Sequence, residues 1–308
     1  MLRLKIFSLF YSIMIRLLLS VLILISLLSC SGNKTTIPEL HKEIESEFEG
    51  LEGTFAVAYL GSDGTTNILI NENERFHAAS TMKTPVMIEL FKQAELGNLS
   101  LDDSLMVTTT FSSIVDGSPF SMAVDEESEP ELSALMGKKT TYRNLNELMI
   151  TKSSNLATNI LIGKLDAKKV TQTMRTLGAD SIEVLRGVED IKAFEAGLSN
   201  STTAADLLAI FTSLKSDTLI SAQANKQMIE VLKAQHYNDM IPAKLPEGTE
   251  VAHKTGWITG VHHDSGIVYL PDGRSFVLII LSKEAPDREA VLNAGANISR
   301  MLYEFELK

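Results

Sequence analysis

Strand-like segments stand at the two ends of this chain, and helix-like segments fill its middle. Near the start, Thr54–Leu60 and Asn67–Ile70 flank Gly61-Ser62-Asp63-Gly64, a strand–turn–strand pattern. Near the end, residues 250–256, 264–270 and 275–282 are again rich in β-branched and apolar side chains, with Pro271-Asp272-Gly273 as the last turn. Between them, residues 82–96, 144–150, 156–165, 170–177 and 204–214 carry apolar side chains at helical spacing. Residues 37–48 do the same through Ile37, Leu40, Ile44 and Phe48, and a closing helix is expected over about 288–307. A sheet built from both ends, with a helical insertion, is an α/β (α+β) fold whose strands meet only after most of the chain exists. No internal repeat and no long linker divides residues 37–308, so they are predicted to form one domain.

The first thirty residues are set apart from that fold. Residues 17–29 are almost wholly apolar, follow Arg16 and end at Leu27-Leu28-Ser29-Cys30. A basic flank, a short apolar core and a small residue before the break read as an export signal, with Met14 a possible true start. The ending resembles a bacterial lipobox, which implies a lipid on Cys30, a polar tether over residues 31–36, and an exported, cell-surface or periplasmic lipoprotein touching the membrane only through its anchor. Cys30 is the sole cysteine, so no disulfide forms within the chain. The formal net charge of −11 argues against a nucleic-acid partner. The acidic run at residues 125–131 (DEESEPE) reads as a solvated surface loop.

Three short motifs follow in order. Ser80-Thr81-Met82-Lys83 puts a hydroxyl and an amine at i and i+3, on one face if a helix begins at Ser80. A free hydroxyl is a poor nucleophile, and a neighbouring neutral amine is a suitable base. The field of a helix start and the charge of Lys254 both favour that neutral form. Ser31-Gly32-Asn33-Lys34 matches the same pattern, so the motif by itself is weak. Ser153-Ser154-Asn155 breaks two helical stretches and can project Ser153 as a proton relay and Asn155 as a partner for a substrate amide. Lys254-Thr255-Gly256 ends a strand: Lys254 and Thr255 suit a carboxylate, and Gly256 admits a close ligand. The backbone N–H groups of Ser80 and Trp257 are candidate oxyanion donors. Trp257, the sole tryptophan, belongs either to the core or to a cleft wall.

The set S-x-x-K, S-x-N and K-T-G resembles the class A β-lactamase family of serine hydrolases over residues 37–308. The resemblance implies a five-stranded antiparallel sheet flanked by helices, an all-helical subdomain, and a site between them. It implies Ser80 as nucleophile, Lys83 as base, Ser153 as proton shuttle, and Lys254 with Thr255 as carboxylate clamp. The reaction implied is opening of a β-lactam amide through an acyl-Ser80 intermediate.

Two positions depart from the pattern. Ser154 replaces the aspartate of S-D-N. The omega loop reads Arg186-Gly187-Val188-Glu189-Asp190-Ile191-Lys192 where the family carries R-x-E-x-x-L-N, so the glutamate stands one place late and the asparagine is missing. Arg186 carries over as a loop anchor and Glu189 as the deacylation base, with Asp190 and Glu195 as competitors. These departures keep open a D,D-peptidase or esterase-type hydrolase acting on a cell-wall peptide, and a penicillin-binding sensor without turnover. No cofactor is expected. The six histidines form no ligand set, and the nearest approach to one, His262-His263-Asp264, alternates between strand faces. A monomer is expected.

Overall fold

A computed structural model describes residues 35–123, 129–216 and 219–308. Cys30, the signal and most of the acidic run at 125–131 lie outside the described residues. The helices are α1 (Ile37–Ser46), α2 (Lys83–Glu95), α3 (Pro130–Ser133), α4 (Tyr142–Thr151), α5 (Asn155–Leu165), α6 (Ala167–Arg175), α7 (Ile191–Glu195), α8 (Ala204–Lys215), α9 (Ala222–Lys233) and α10 (Arg288–Glu306). The strands are β1 (Thr54–Leu60), β2 (Asn67–Ile70), β3 (Phe76–His77), β4 (Ser104–Met106), β5 (Thr110–Ser112), β6 (Pro119–Ser121), β7 (Lys139–Thr141), β8 (Ser201–Thr202), β9 (Val251–Ile258), β10 (Val261–Tyr269) and β11 (Ser275–Lys283).

The main sheet has the order β2-β1-β11-β10-β9, and each neighbouring pair is antiparallel. β1 pairs with β11 across most of the chain, Thr54 opposite Lys283 and Leu60 opposite Val277. Both faces of β11 are buried, which explains its unbroken apolar run. Its side chains alternate. Val277, Ile279 and Leu281 join the core shared with α2, α5 and α8, while Phe276, Leu278 and Ile280 join the core beneath α1 and α10. Helices α3, α4, α6 and α9 join α5 to build the helical half around residues such as Leu145, Met149, Leu161 and Met228.

Two local features position the site. β9 is an edge strand, and its free side lies against a 3-10 turn, Ala79–Met82. The expected helix start at Ser80 is therefore corrected: Ser80 sits inside this turn and α2 begins at Lys83. Ala79, at the head of this turn, holds a positive φ of 44°. Pro85 then falls within the first turn of α2, where its missing N–H is tolerated. The second feature is the break between α4 and α5. Ser154 caps α5 by accepting the N–H of Ala157, which leaves Ser153 at a left-handed φ of 57°.

Candidate active site

The turn Ala79–Met82, the α4–α5 break and strand β9 meet around one cleft of about 730 Å³. Ser80, Ser153, Asn155, Thr255, Gly256 and Trp257 line it. The structure thus brings together residues drawn from three distant parts of the sequence. Trp257 is 62 % exposed, so its ring belongs to the cleft wall rather than the core.

Two lysines converge inside. Lys83 is fully buried, and its Nζ donates to the Ser153 carbonyl (2.6 Å), to Asn155 Oδ1 (2.9 Å) and to Ser153 Oγ (3.2 Å). Lys254 Nζ, also fully buried, donates to the same Ser153 Oγ (3.1 Å) and to the Thr255 carbonyl (2.9 Å). Burial drives the Lys83 pKa well below its ordinary value, and the Lys254 charge pushes the same way; Glu129 and Glu189 oppose them. Burial lowers Lys254 to about 7, against the pull of Asp264. The site therefore favours a neutral amine on Lys83, the form a general base needs.

The expected contact between Lys83 and Ser80 is not closed. Ser80 Oγ makes no hydrogen bond to another described residue, and the amine is turned toward Ser153 and Asn155 instead. Catalytic hydrogen bonds often tighten only on substrate binding. Asn155 gives its oxygen to Lys83 and keeps its amide N–H groups for a ligand, apart from a long contact to Glu189 Oε1 (3.4 Å).

Gly256 serves a purpose beyond the one expected. A Cβ built there would stand 3.1 Å from Thr81 Cγ2 and 3.2 Å from the backbone nitrogens of Ser80 and Thr81. The missing side chain admits the turn that carries Ser80, and Gly256 also lines the cleft. The same close approach holds β9, with the backbone of Trp257, beside the N–H of Ser80.

The omega loop is pinned at both ends. Asn200 accepts the N–H groups of Leu185 and Arg186 and donates to the Arg186 carbonyl. Arg186 Nε reaches the Leu198 carbonyl, closing the loop as its role of anchor requires. Asn159, one turn beyond Asn155 on α5, binds both the N–H and the carbonyl of Val188. This places Glu189, exposed and at φ 63°, next to Asn155. The competitors fare worse. Asp190 is buried and accepts from Ser113 Oγ, the Ile114 N–H and the Ala193 N–H. Burial raises its pKa, but those bonds outweigh it and hold it below the ordinary carboxylate range. Glu195 is exposed on α7 and bonds to none of the site residues described above. Lys192, where the family carries asparagine, points away to Asp116 and Ser118.

Three residues at the site, Ala79, Ser153 and Glu189, have positive φ without being glycine. Such strain persists only where surrounding bonds over-determine it, and it clusters at functional sites. His77 Nδ1, for example, accepts the Ala79 N–H.

Sequence reasoning missed several cleft-lining residues, among them Tyr237, Arg288 and Glu129. Glu129 belongs to the acidic run read as a solvated loop, yet it lines the cleft and accepts hydrogen bonds from Ser154 and Asn155. Nothing separates it in sequence from the four other acids of that run. Among the described residues no group of three or more His, Cys, Asp or Glu side chains could hold a metal ion. His262 and His263 point to opposite faces, to the Ala285 and His77 carbonyls.

Comparison with known proteins agrees with this geometry. The model of the beta-lactamase enzyme family matches residues 39–305. The extended-spectrum beta-lactamase PER-1 of Pseudomonas aeruginosa is 24 % identical over 289 residues, covering 88 % of each chain. The structure of the TLA-3 extended-spectrum beta-lactamase superposes with a TM-score of 0.77 at 21 % identity, over 89 % of this chain and all of that one. A PBP-A mutant, solved as its acyl-enzyme complex with penicillin G, gives a TM-score of 0.74 at 23 % identity, over 87 % of this chain and 96 % of that one. By the family model and by the fold around Ser80, this chain belongs to the beta-lactamase enzyme family.

Proposed function

We propose that the chain is a serine β-lactamase, opening the β-lactam amide through an ester on Ser80. The observation that carries this reading is the pair of buried lysines meeting at Ser153 Oγ beside an unengaged Ser80 hydroxyl. Neutral Lys83 takes the Ser80 proton as Oγ attacks the lactam carbonyl. The backbone N–H groups of Ser80 and Trp257 stabilise the oxyanion, and losing one such donor costs roughly 10²–10³ in rate. The proton passes through Ser153 Oγ to the departing lactam nitrogen. Lys254 and Thr255 hold the substrate carboxylate, and an Asn155 amide N–H meets its side-chain carbonyl. Water, activated by Glu189, then cleaves the ester. PER-1 is named as a beta-lactamase and the PBP-A mutant was captured as a penicillin acyl-enzyme, which supports a β-lactam as the ligand class.

The test is covalent labelling. Intact-mass measurement with a penicillin should show one adduct that decays to free enzyme, and Ser80→Ala should show none. Labelling of Ser80→Ala would remove Ser80 from the mechanism.

A second reading rests on Glu189. Its single long contact and the absence of an asparagine partner favour slow ester hydrolysis. An adduct that forms and never decays would make the protein a penicillin-binding sensor. The export signal, the lipid on Cys30, the membrane anchor and the monomeric state belong to the same proposal. They rest on residues 17–30 and on composition, and gel filtration with membrane fractionation tests them.

A further inference from the structure

The turn that holds Lys83 is itself held by a carboxylate from elsewhere in the chain. Glu129 Oε2 accepts the Ser154 hydroxyl at 2.9 Å. Glu129 Oε1 accepts the backbone N–H of Asn155 at 2.8 Å and, more weakly, that of Leu156 at 3.5 Å. Ser154 Oγ in turn accepts the Ala157 N–H at 3.0 Å. One glutamate thus occupies three donors at the start of α5, immediately beside the two residues that bond Lys83.

The turn needs such a restraint. Ser153 lies in the left-handed region, and both its carbonyl and its hydroxyl must face Lys83 for the network to close. Asn155 must present its oxygen to the same amine. Charge-assisted bonds to backbone N–H groups are the stronger kind, and they fix orientation as well as distance.

We propose that Glu129 is a positioning residue for acylation, supplying from a remote loop the carboxylate that orders residues 153–155 around Lys83. The inference rests on the acyl-transfer reading of the site. Both Glu129 oxygens accept hydrogen bonds from this turn, three donors in all, which fits a positioning role. It is not a solvated loop acid, since each of those partners is partly buried. Its charge also opposes the depression of Lys83, so it bears on the base electrostatically as well as geometrically.

The experiment follows acylation of the full chain by a fluorescent penicillin in four variants: Glu129→Ala, Glu129→Gln, Ser154→Asp and the pair Glu129→Ala with Ser154→Asp. Glu129→Ala should acylate about 10–100-fold more slowly, the scale on which misplaced catalytic groups lose rate. Asp is as good an N-cap as Ser and sets a carboxylate at the same helix start. The pair should therefore recover most of the lost rate, while Ser154→Asp alone gains nothing because two carboxylates then compete for one set of donors. Wild-type acylation by Glu129→Ala, or failure of Ser154→Asp to restore a folded Glu129→Ala protein, overturns the proposal.

If Glu129→Ala does not fold, Glu129→Gln decides by its pH profile. The charged groups facing Lys83 are Lys254, Glu129 and Glu189. Removing one anion lowers the proton affinity of Lys83, so the acid limb of acylation should move to lower pH; an unmoved limb at wild-type rate overturns the proposal. A wild-type protein that takes no penicillin would sink the functional reading instead. Amide exchange at residues 155–156 then tests Glu129 alone: faster exchange in Glu129→Gln supports it, and equal exchange refutes it.

Discussion

Gly256 faces the backbone nitrogen of Ser80 so closely that a Cβ on it would stand 3.2 Å from that nitrogen. That contact couples the strand carrying Lys254 and Thr255 to the turn carrying Ser80. The same Cβ would stand 3.1 Å from Thr81 Cγ2. Gly256→Ala must push β9 away from the turn by a few tenths of an ångström. Since both proposed oxyanion donors sit across this seam, we expect acylation to fall roughly 10²-fold, comparable to losing one donor. Thermal unfolding should change far less. A Gly256→Ala enzyme with wild-type acylation would show that the seam does not set the oxyanion geometry.

Lys83 offers a test of the base by charge alone. Burial and Lys254 depress its pKa, so the working species is the neutral amine. Lys83→Arg keeps a long cationic side chain but cannot lose its proton. Acylation should drop by about 10²–10⁴, the range of general-base contributions. Labelling that persists at near wild-type rate would assign the proton to another group.

Lys254 should give the substrate affinity a pH dependence. Its pKa of about 7 means that the ammonium is lost as pH rises through neutrality. The clamp then loses the charge that pairs with a substrate carboxylate, so KM for an anionic penicillin should rise above about pH 7. Lys254→Arg keeps its charge throughout and should flatten that limb, although its fork fits the buried position less well. Identical KM profiles for the two proteins would separate Lys254 from the carboxylate.

Much of this site was legible because its chemistry sits on sharp sequence boundaries. Ser80 sits in the tight turn just ahead of a helix, Ser153–Asn155 separates two helices, and Lys254–Gly256 lies in an edge strand, so short motifs marked three walls of one cleft. β1 and β2 were readable to the residue because their turn has glycine and aspartate at the demanding positions. What stayed hidden was set by tertiary contact. Ala79 holds a positive φ because His77 and Asn200 fix the turn, and no alanine announces that in sequence. Helix α7 is a single five-residue stretch made by its Asp190 cap, too short for periodicity to show. Helix α9 did carry a readable stripe, Ala224, Met228 and Leu232 at four-residue spacing, and lay outside the segments marked as helical. Glu129 looked like its neighbours because its role depends on where the loop lands.

Glu189 makes one long contact to Asn155, and Lys192, at the position where the family carries asparagine, bonds Asp116 and Ser118 instead. Glu189→Gln should leave the first acylation intact and slow the decay of the adduct by about 10²-fold or more. The wild type should already show a burst followed by slower turnover. Equal decay in the two proteins would leave the ester to another base.

His263 connects the sheet to the nucleophile turn, and its bonds fix its protonation state. Nε2 lies 2.9 Å from the His77 carbonyl and so carries the hydrogen, while Nδ1 accepts the Ser282 N–H at 3.2 Å. A second proton would set two N–H groups against each other in a site 2 % exposed. Burial accordingly pulls the His263 pKa from 6.5 to about 4. The sign follows from which state takes the proton first. Below about pH 6.5 the unfolded chain binds a proton that the folded protein refuses, so stability falls until the folded pKa near 4 is reached. The full loss from this group is roughly 3 kcal/mol. His77 and His262, whose pKa values burial also lowers, act in the same direction. Urea midpoints between pH 7.5 and 4 should therefore fall more steeply for the wild type than for His263→Gln, which keeps a donor and an acceptor but cannot titrate. Parallel slopes would mean that the buried imidazole does not govern the acid sensitivity of the fold.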